Sequence, residues 1–460
     1  MNLLVRLSRY SAWITLLLIP LWTRWLFQPP LLPSLYVTRF VIFTPLAITV
    51  ALWVLSGVRG VREVARSRAR ALWALSLLTL AVWAFASTAW AFIGRLYPDI
   101  GMNTALQWSV VVLFAFAIAS TRLPPRIVLS ALVIGLAFNA AITVAQAAHQ
   151  QWIGLIALRE FEIYPGSGGV SILRAGSLEY VRPYGLMPHP NMLAGTLMIG
   201  TLAACGGLFV HSRLVRAGCA LVIGVGVLAL LLTFSRAAWG GFAVGLLILL
   251  PFAARRWMVD PSLRPVIGLT AALIGAGGVF FAAHYSPFIL ARTGQTVEAV
   301  EMRSVADRIV FIDFALQSIR ERPLHGVGAG NFPWRTSYYL ADTFYDLRGD
   351  NVHNIYLSVA AELGLIGLGL YVTALIAGLV AAVTALRGDA PADKPMRAAL
   401  IACVLALLAV GWLDHYPYTI VHFQTALWGL LAAAAVPAGN HAAGEESKGR
   451  ASARPVHSEG

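Results

Sequence analysis

The sequence predicts an all-α polytopic membrane protein, and three observations carry that prediction. Of 460 residues, 58% are hydrophobic and 12% charged, with mean hydropathy +0.73, whereas soluble domains carry about twice that share of charge. Leu- and Ala-rich runs of roughly 20 residues recur from end to end, the length needed to cross a bilayer. Basic residues gather in alternate connections between those runs, as positive-inside bias requires.

Taken in order, about twelve spans are expected, over roughly 11–27, 38–58, 71–93, 105–121, 127–148, 192–210, 217–234, 237–254, 265–284, 354–386, 396–413 and 421–437. The first run has no small-residue cleavage site and reads as a retained span. The tenth is long enough to include a turn outside the membrane. Together they make a transmembrane bundle over 1–438, followed by a polar tail, 439–460, expected to be disordered.

One set of connections holds Arg6 and Arg9, "RGVREVARSRAR" at 59–70, Arg122, Arg126, Arg213, Arg216, "RRWMVDPSLR" at 255–264, "RGDAPADKPMR" at 387–397 and the tail. That set contains 20 of the 34 Lys and Arg residues but 7 of the 21 acidic ones. It is therefore assigned to the cytoplasm with both termini, which explains the net charge of +13 without invoking nucleic acid. Two long loops then face outward, 149–191 and 285–353. The first has β-prone stretches parted by Gly-rich turns, "FEIYPGSGGVSILRAGSLEYVRPYG", predicting a short hairpin. In the second, Val305, Ile309, Ile312, Phe314 and Ile319 approximate a helical stripe, predicting an amphipathic helix that ends near Pro323 and Gly326.

The candidate chemistry gathers on this outer face: Arg182 in "RPYG", His189 and Asn191 in "PHPN", Arg236 in "TFSRAAW", Arg303, Arg308, and His353 with Asn354. An arginine at a membrane boundary snorkels or finds an anion. Its planar fork grips phosphate oxygens in pairs, so Arg182, Arg236 and Arg308 are read either as interfacial anchors or as a converging pyrophosphate site. His353 precedes an apolar helix, whose N-terminal dipole favours the neutral imidazole that a general base requires. The plainer alternative is a histidine satisfied by the helix cap. "GVGAGNF", with Gly326, Gly328 and Gly330, follows no strand and reads as a turn rather than a phosphate cradle. Asp342, Asp346 and Asp350 read as a solvated face, with a divalent-metal site as the alternative. Cys205, Cys219 and Cys403 lie in or beside apolar runs without disulfide or metal-ligand spacing.

In sequence order, "RPYGLMPHPNMLA", "LLLTFSRAAW", "SVADRIVFIDFALQSIRERPLHGVGAGNF" and "VHNIYLSVAAELGLIGLGLYV" resemble the O-antigen ligase and polymerase superfamily over roughly 105–435. The resemblance implies a C-type glycosyltransferase architecture in the bacterial inner membrane, with its site facing the periplasm. It implies an undecaprenyl-pyrophosphate-linked glycan as donor, an acceptor hydroxyl on lipid A core, and no metal, cofactor or nucleotide. It further implies that His353 orients or deprotonates the acceptor and that Arg182, Arg236 and Arg308, with Arg303 competing for the last place, hold the pyrophosphate. His189, Asn191 and Asn354 would support them. A glycan polymerase and a protein O-oligosaccharyltransferase share this donor chemistry. A transporter or flippase is the reading of another class, disfavoured by the scarcity of mid-span ionisable groups and of internal repeats.

Overall fold

The computed structural model describes residues 3–24, 39–94, 96–292, 299–341 and 350–437. The described helices are α1 (Leu3–Leu17), α2 (Phe43–Leu55), α3 (Val61–Val64), α4 (Arg68–Ala86), α5 (Pro98–Thr121) and α6 (Pro125–His149), then α7 (Pro190–Gly207), α8 (Arg213–Leu232), α9 (Arg236–Val259), α10 (Arg264–Arg292), α11 (Ala299–Glu321) and α12 (Phe332–Leu340). The chain closes with α13 (Ile355–Gly388), α14 (Lys394–Val410), α15 (Tyr416–Thr419) and α16 (Val421–Ala435). One antiparallel hairpin, β1 (Ile172–Ala175) with β2 (Leu178–Val181), lies in the first long loop. Proline opens α5, α6 and α7 at a position where the missing N–H costs nothing.

Among the described residues seven helical segments are long and apolar enough to cross a membrane: 68–90, 98–121, 125–149, 213–232, 236–259, 261–291 and 355–388. A helix lies in each of the twelve expected runs, but the expected count of twelve spans is not reached by length and composition. α2 and α16, for example, have 13 and 15 residues.

The centre of the bundle is α7, α14 and α16, whose residues are almost all buried. Without a hydrophobic drive between helices inside lipid, close approach depends on small residues at the contacts. Gly195 faces Tyr416 and Phe423, Gly206 faces Ala399, and Gly241 faces Met198 and Val410. α9 packs on α14, α4 on α13, and α8 on α10.

Helix α13 is broken at Gly364, where φ is +70° and ψ −175°, a conformation only glycine takes without strain. A break inside a bundle leaves main-chain groups in need of partners, and here other segments supply them. Val327 and Gly328 donate N–H to the Ala361 and Glu362 carbonyls at 2.9 and 2.8 Å, and Leu365 donates to the Pro323 carbonyl at 2.8 Å. The Trp83 indole donates to the Leu363 carbonyl at 2.8 Å. The 323–330 segment is thus a turn, with positive φ at Gly326, Gly328 and Gly330, docked edge-on into the break. The buried Glu362 carboxylate accepts from the Gly330 and Phe332 N–H groups and from the Tyr418 hydroxyl at 2.9 Å.

The hairpin is anchored by aromatic packing. Tyr180 on β2 sits against Phe234, Tyr285 and Phe288, and its hydroxyl donates to the Leu232 carbonyl at 2.9 Å. Phe234, fully buried in the α8–α9 turn, holds a left-handed φ of +53°. That conformation is costly for a bulky residue and is held in place by the surrounding rings.

Candidate functional site

The site forms where α7 and α13 begin and α14 ends. Asn354 caps α13: its side-chain oxygen accepts from the Tyr356 and Leu357 N–H groups at 2.9 and 3.0 Å. With Asn354 supplying the cap, the His353 ring is left for other contacts. Two links stitch this corner to the end of α14, from Ile355 N to the Gly411 carbonyl at 2.8 Å and from the Asn354 amide to the Trp412 carbonyl at 3.2 Å. The Asp414–His415 pair of the α14–α15 turn is thereby brought up to His353.

His353 Nδ1 lies 3.4 Å from Asp414 Oδ1, with the two side chains 27% and 5% exposed. That distance is within ion-pair reach but longer than a well-formed hydrogen bond, and Nδ1, itself shielded from solvent, has no better partner among the described residues. Asp414 Oδ2 accepts from the Asn191 amide at 3.1 Å, and Oδ1 accepts from the His415 N–H at 2.9 Å. The Asn191 oxygen in turn accepts from Arg182 Nη2 at 2.8 Å. A continuous polar chain therefore runs Arg182–Asn191–Asp414–His353, joining the stretch between β2 and the start of α7 to the α14–α15 turn and the start of α13.

Arg182 is buried, at 4% exposure. Its Nε donates to the Thr233 carbonyl at 2.7 Å and its Nη1 to the Ser171 hydroxyl at 3.0 Å. It joins the hairpin, the α8–α9 turn and the start of α7. His189 is the N-cap of α7, its Nδ1 accepting from Asn191 N at 3.1 Å. Its ring keeps an edge to solvent, while packed protein and the neighbouring Arg182 cation lower its pKa. Arg236 is exposed at the first turn of α9, three residues beyond the Thr233 carbonyl that Arg182 grips. Arg308 is half-buried on α11, which packs against α13. None of the hydrogen bonds described for the His353 cluster comes from it. Arg303 also falls on α11, but its side chain lies outside the described residues, as do Asp342 and Asp346.

Electrostatics bias both Asp414 and His415. Burial would raise the Asp414 pKa, but His353, the charge of His415 and the His415 N–H outweigh it and hold the group well below the usual carboxylate range. Asp414 is therefore an anion at neutral pH. Burial lowers the His415 pKa, with Asp414 opposing and His353 reinforcing. The Thr419 hydroxyl lies 2.7 Å from His415 Nδ1 and 3.2 Å from the His415 carbonyl, so Thr419 occupies Nδ1 and Nε2 is the nitrogen left to face other groups.

Sequence reasoning brought out Arg182, His189, Asn191, His353 and Asn354, which the fold gathers, but missed Asp414 and His415. Their signal was an Asp-His dipeptide in "WLDHYPYT", a polar interruption between two apolar runs.

Comparison with curated proteins gives no match. Residues 219–372 of this largely helical chain, which carry Arg236, α11 and the His353–Gly364 segment, are similar to the family whose model is described as O-antigen ligase.

Proposed function

We propose that the protein transfers a glycan from undecaprenyl pyrophosphate to an acceptor hydroxyl on lipid A core, at the periplasmic face of the inner membrane, with inversion at the anomeric carbon. The family match supports membrane glycosyl transfer as such. The observation that carries the mechanism is the buried Asp414 carboxylate set against His353 Nδ1 at 3.4 Å, at the mouth of an apolar bundle.

Asp414 holds the proton on Nδ1, which leaves the Nε2 lone pair to receive the acceptor's hydroxyl proton, the division of labour of a histidine–carboxylate pair. The acceptor oxygen bonds to the anomeric carbon as the bond from that carbon to the pyrophosphate oxygen breaks. The electron pair leaves with undecaprenyl pyrophosphate, and the proton stays on His353 until it is lost to solvent. Charge growing on the leaving pyrophosphate is met by fixed cations, for which Arg236 and the α11 arginines Arg303 and Arg308 are the candidates. Arg182, turned inward, acts through Asn191 on Asp414. The polyprenyl chain lies along apolar helix surfaces. Both termini and the basic loops lie in the cytoplasm, opposite this site.

The test is reconstitution of the full chain in liposomes with a defined undecaprenyl-pyrophosphate glycan. Lipid A core, free glycan repeat and a Ser/Thr peptide are offered separately, and products are read by mass spectrometry. Glycan on lipid A core is expected, and His353→Ala abolishes it while the protein stays folded and inserted. Product on another acceptor would replace the ligase reading with polymerase or protein transfer, and wild-type turnover by His353→Ala would remove His353 from the mechanism.

A further inference from the structure

The ligand atoms of His353, Asp414 and His415 all lie within 4.8 Å of one another. Two imidazoles and a carboxylate are the donor set of three-ligand zinc sites, which keep a fourth position open. At zinc–ligand distances of about 2.0–2.1 Å, two ligands of a tetrahedral ion stand roughly 3.3 Å apart. His353 Nδ1 and Asp414 Oδ1, at 3.4 Å, are at that spacing, long for a hydrogen bond and right for two atoms sharing an ion.

The surroundings resemble the outer shell of a metal site. Asp414 Oδ2 is held by the Asn191 amide at 3.1 Å. His415 Nδ1 is held by Thr419 at 2.7 Å, which leaves Nε2 as the ligating nitrogen. Outer partners of this kind fix tautomer and ring orientation in metal sites. Among the described residues, His353 Nδ1 is buried with no hydrogen-bond partner of its own.

We propose that His353, Asp414 and His415 form an inhibitory site for a divalent transition ion of the zinc class. Ion binding needs only the geometry, whereas its inhibitory effect rests on the glycosyl-transfer reading above. The inhibition follows from the two tautomers of one ring. Transfer needs the proton on Nδ1 and the lone pair on Nε2. An ion bound at Nδ1 leaves the proton on Nε2, so no base faces the acceptor hydroxyl, and the ion also occupies the carboxylate that selects the working tautomer.

The experiment titrates Co²⁺ into the full chain in detergent, without glycan, and follows visible absorption. Intense tetrahedral bands saturating at one ion per chain and displaced by Zn²⁺ are expected. His353→Gln and His415→Gln should lose them, and Thr419→Val should weaken binding by about tenfold. Wild-type protein without such bands, or bands unchanged in both histidine variants, would overturn the site. If a histidine variant does not fold, Thr419→Val decides in its place, and unchanged affinity there overturns the site. In the transfer assay, saturating Zn²⁺ should lower the rate about 100-fold, the scale of losing a general base, with recovery on chelation. Full-rate transfer by ion-loaded protein would overturn the inhibition. Ion binding in a protein that transfers nothing even when metal-free would count against the glycosyl-transfer reading and leave the site standing.

Discussion

Asp414 and Asn191 do different work on the same histidine, and substitution separates them. Asp414→Asn removes the anion that selects the Nδ1–H tautomer of His353, and transfer should fall by about 10² to 10⁴-fold, measured as initial rate with the donor saturating. Asn191→Ala leaves the carboxylate but cuts its link to Arg182, and a smaller fall, about tenfold, is expected on the scale of lost outer-shell partners. His415 predicts a pH effect. Its folded-state pKa is lowered, chiefly by burial, so the neutral ring contributes fully above the ordinary value of about 6.5, and that contribution is lost as pH falls below it. The fall in Tm between about pH 7 and pH 5 should therefore be shallower in His415→Gln than in wild type.

At the scale of elements, the broken helix α13 and the hairpin are the parts that aim these side chains. A Cβ at Gly364 would collide with the Leu324 carbonyl and force a left-handed φ on alanine, which alone costs about 1–3 kcal/mol. Gly364→Ala should lower the thermal midpoint in detergent and release the 323–330 turn to proteolysis. The sequence offered much of this scale. The apolar periods predicted a helix in every expected run, and Gly-rich spacing predicted a turn at 326–330. The break inside α13 was half-visible, as a run too long for one span. Glu362 was passed over because a lone carboxylate in an apolar stretch carries no local sign of its partners, which lie at 330, 332 and 418. Asp414 left a local sign, the Asp-His dipeptide, but none of its distant partner. It reaches His353 only because α13 and α14 are stitched end to end by Asn354, Ile355, Gly411 and Trp412. Arg182 was legible as a cation in the first long loop, but a sequence shows charge and not direction, and its guanidinium bonds Thr233, Ser171 and Asn191 inside the protein.

For the whole molecule, a buried, charge-bearing corner sits at one end of a bundle held together by small-residue contacts. The orientation proposed above predicts which end meets which compartment. A cysteine placed at Ser167, beside the hairpin, should react with a membrane-impermeant thiol reagent in intact cells. One at Ser67, in the basic connection, should react only after permeabilisation. The reverse pattern would invert the bundle and move the site to the cytoplasm.

The clip between the 323–330 turn and the break in α13 is made almost wholly of main-chain groups. A fastening that reads backbone and not side chains is indifferent to what the attached segment displays. Exposed side chains of α12, such as Trp334 and Tyr338, can therefore vary while Phe332, Thr336 and Leu340 stay packed and Gly364 and Glu362 keep the seat intact.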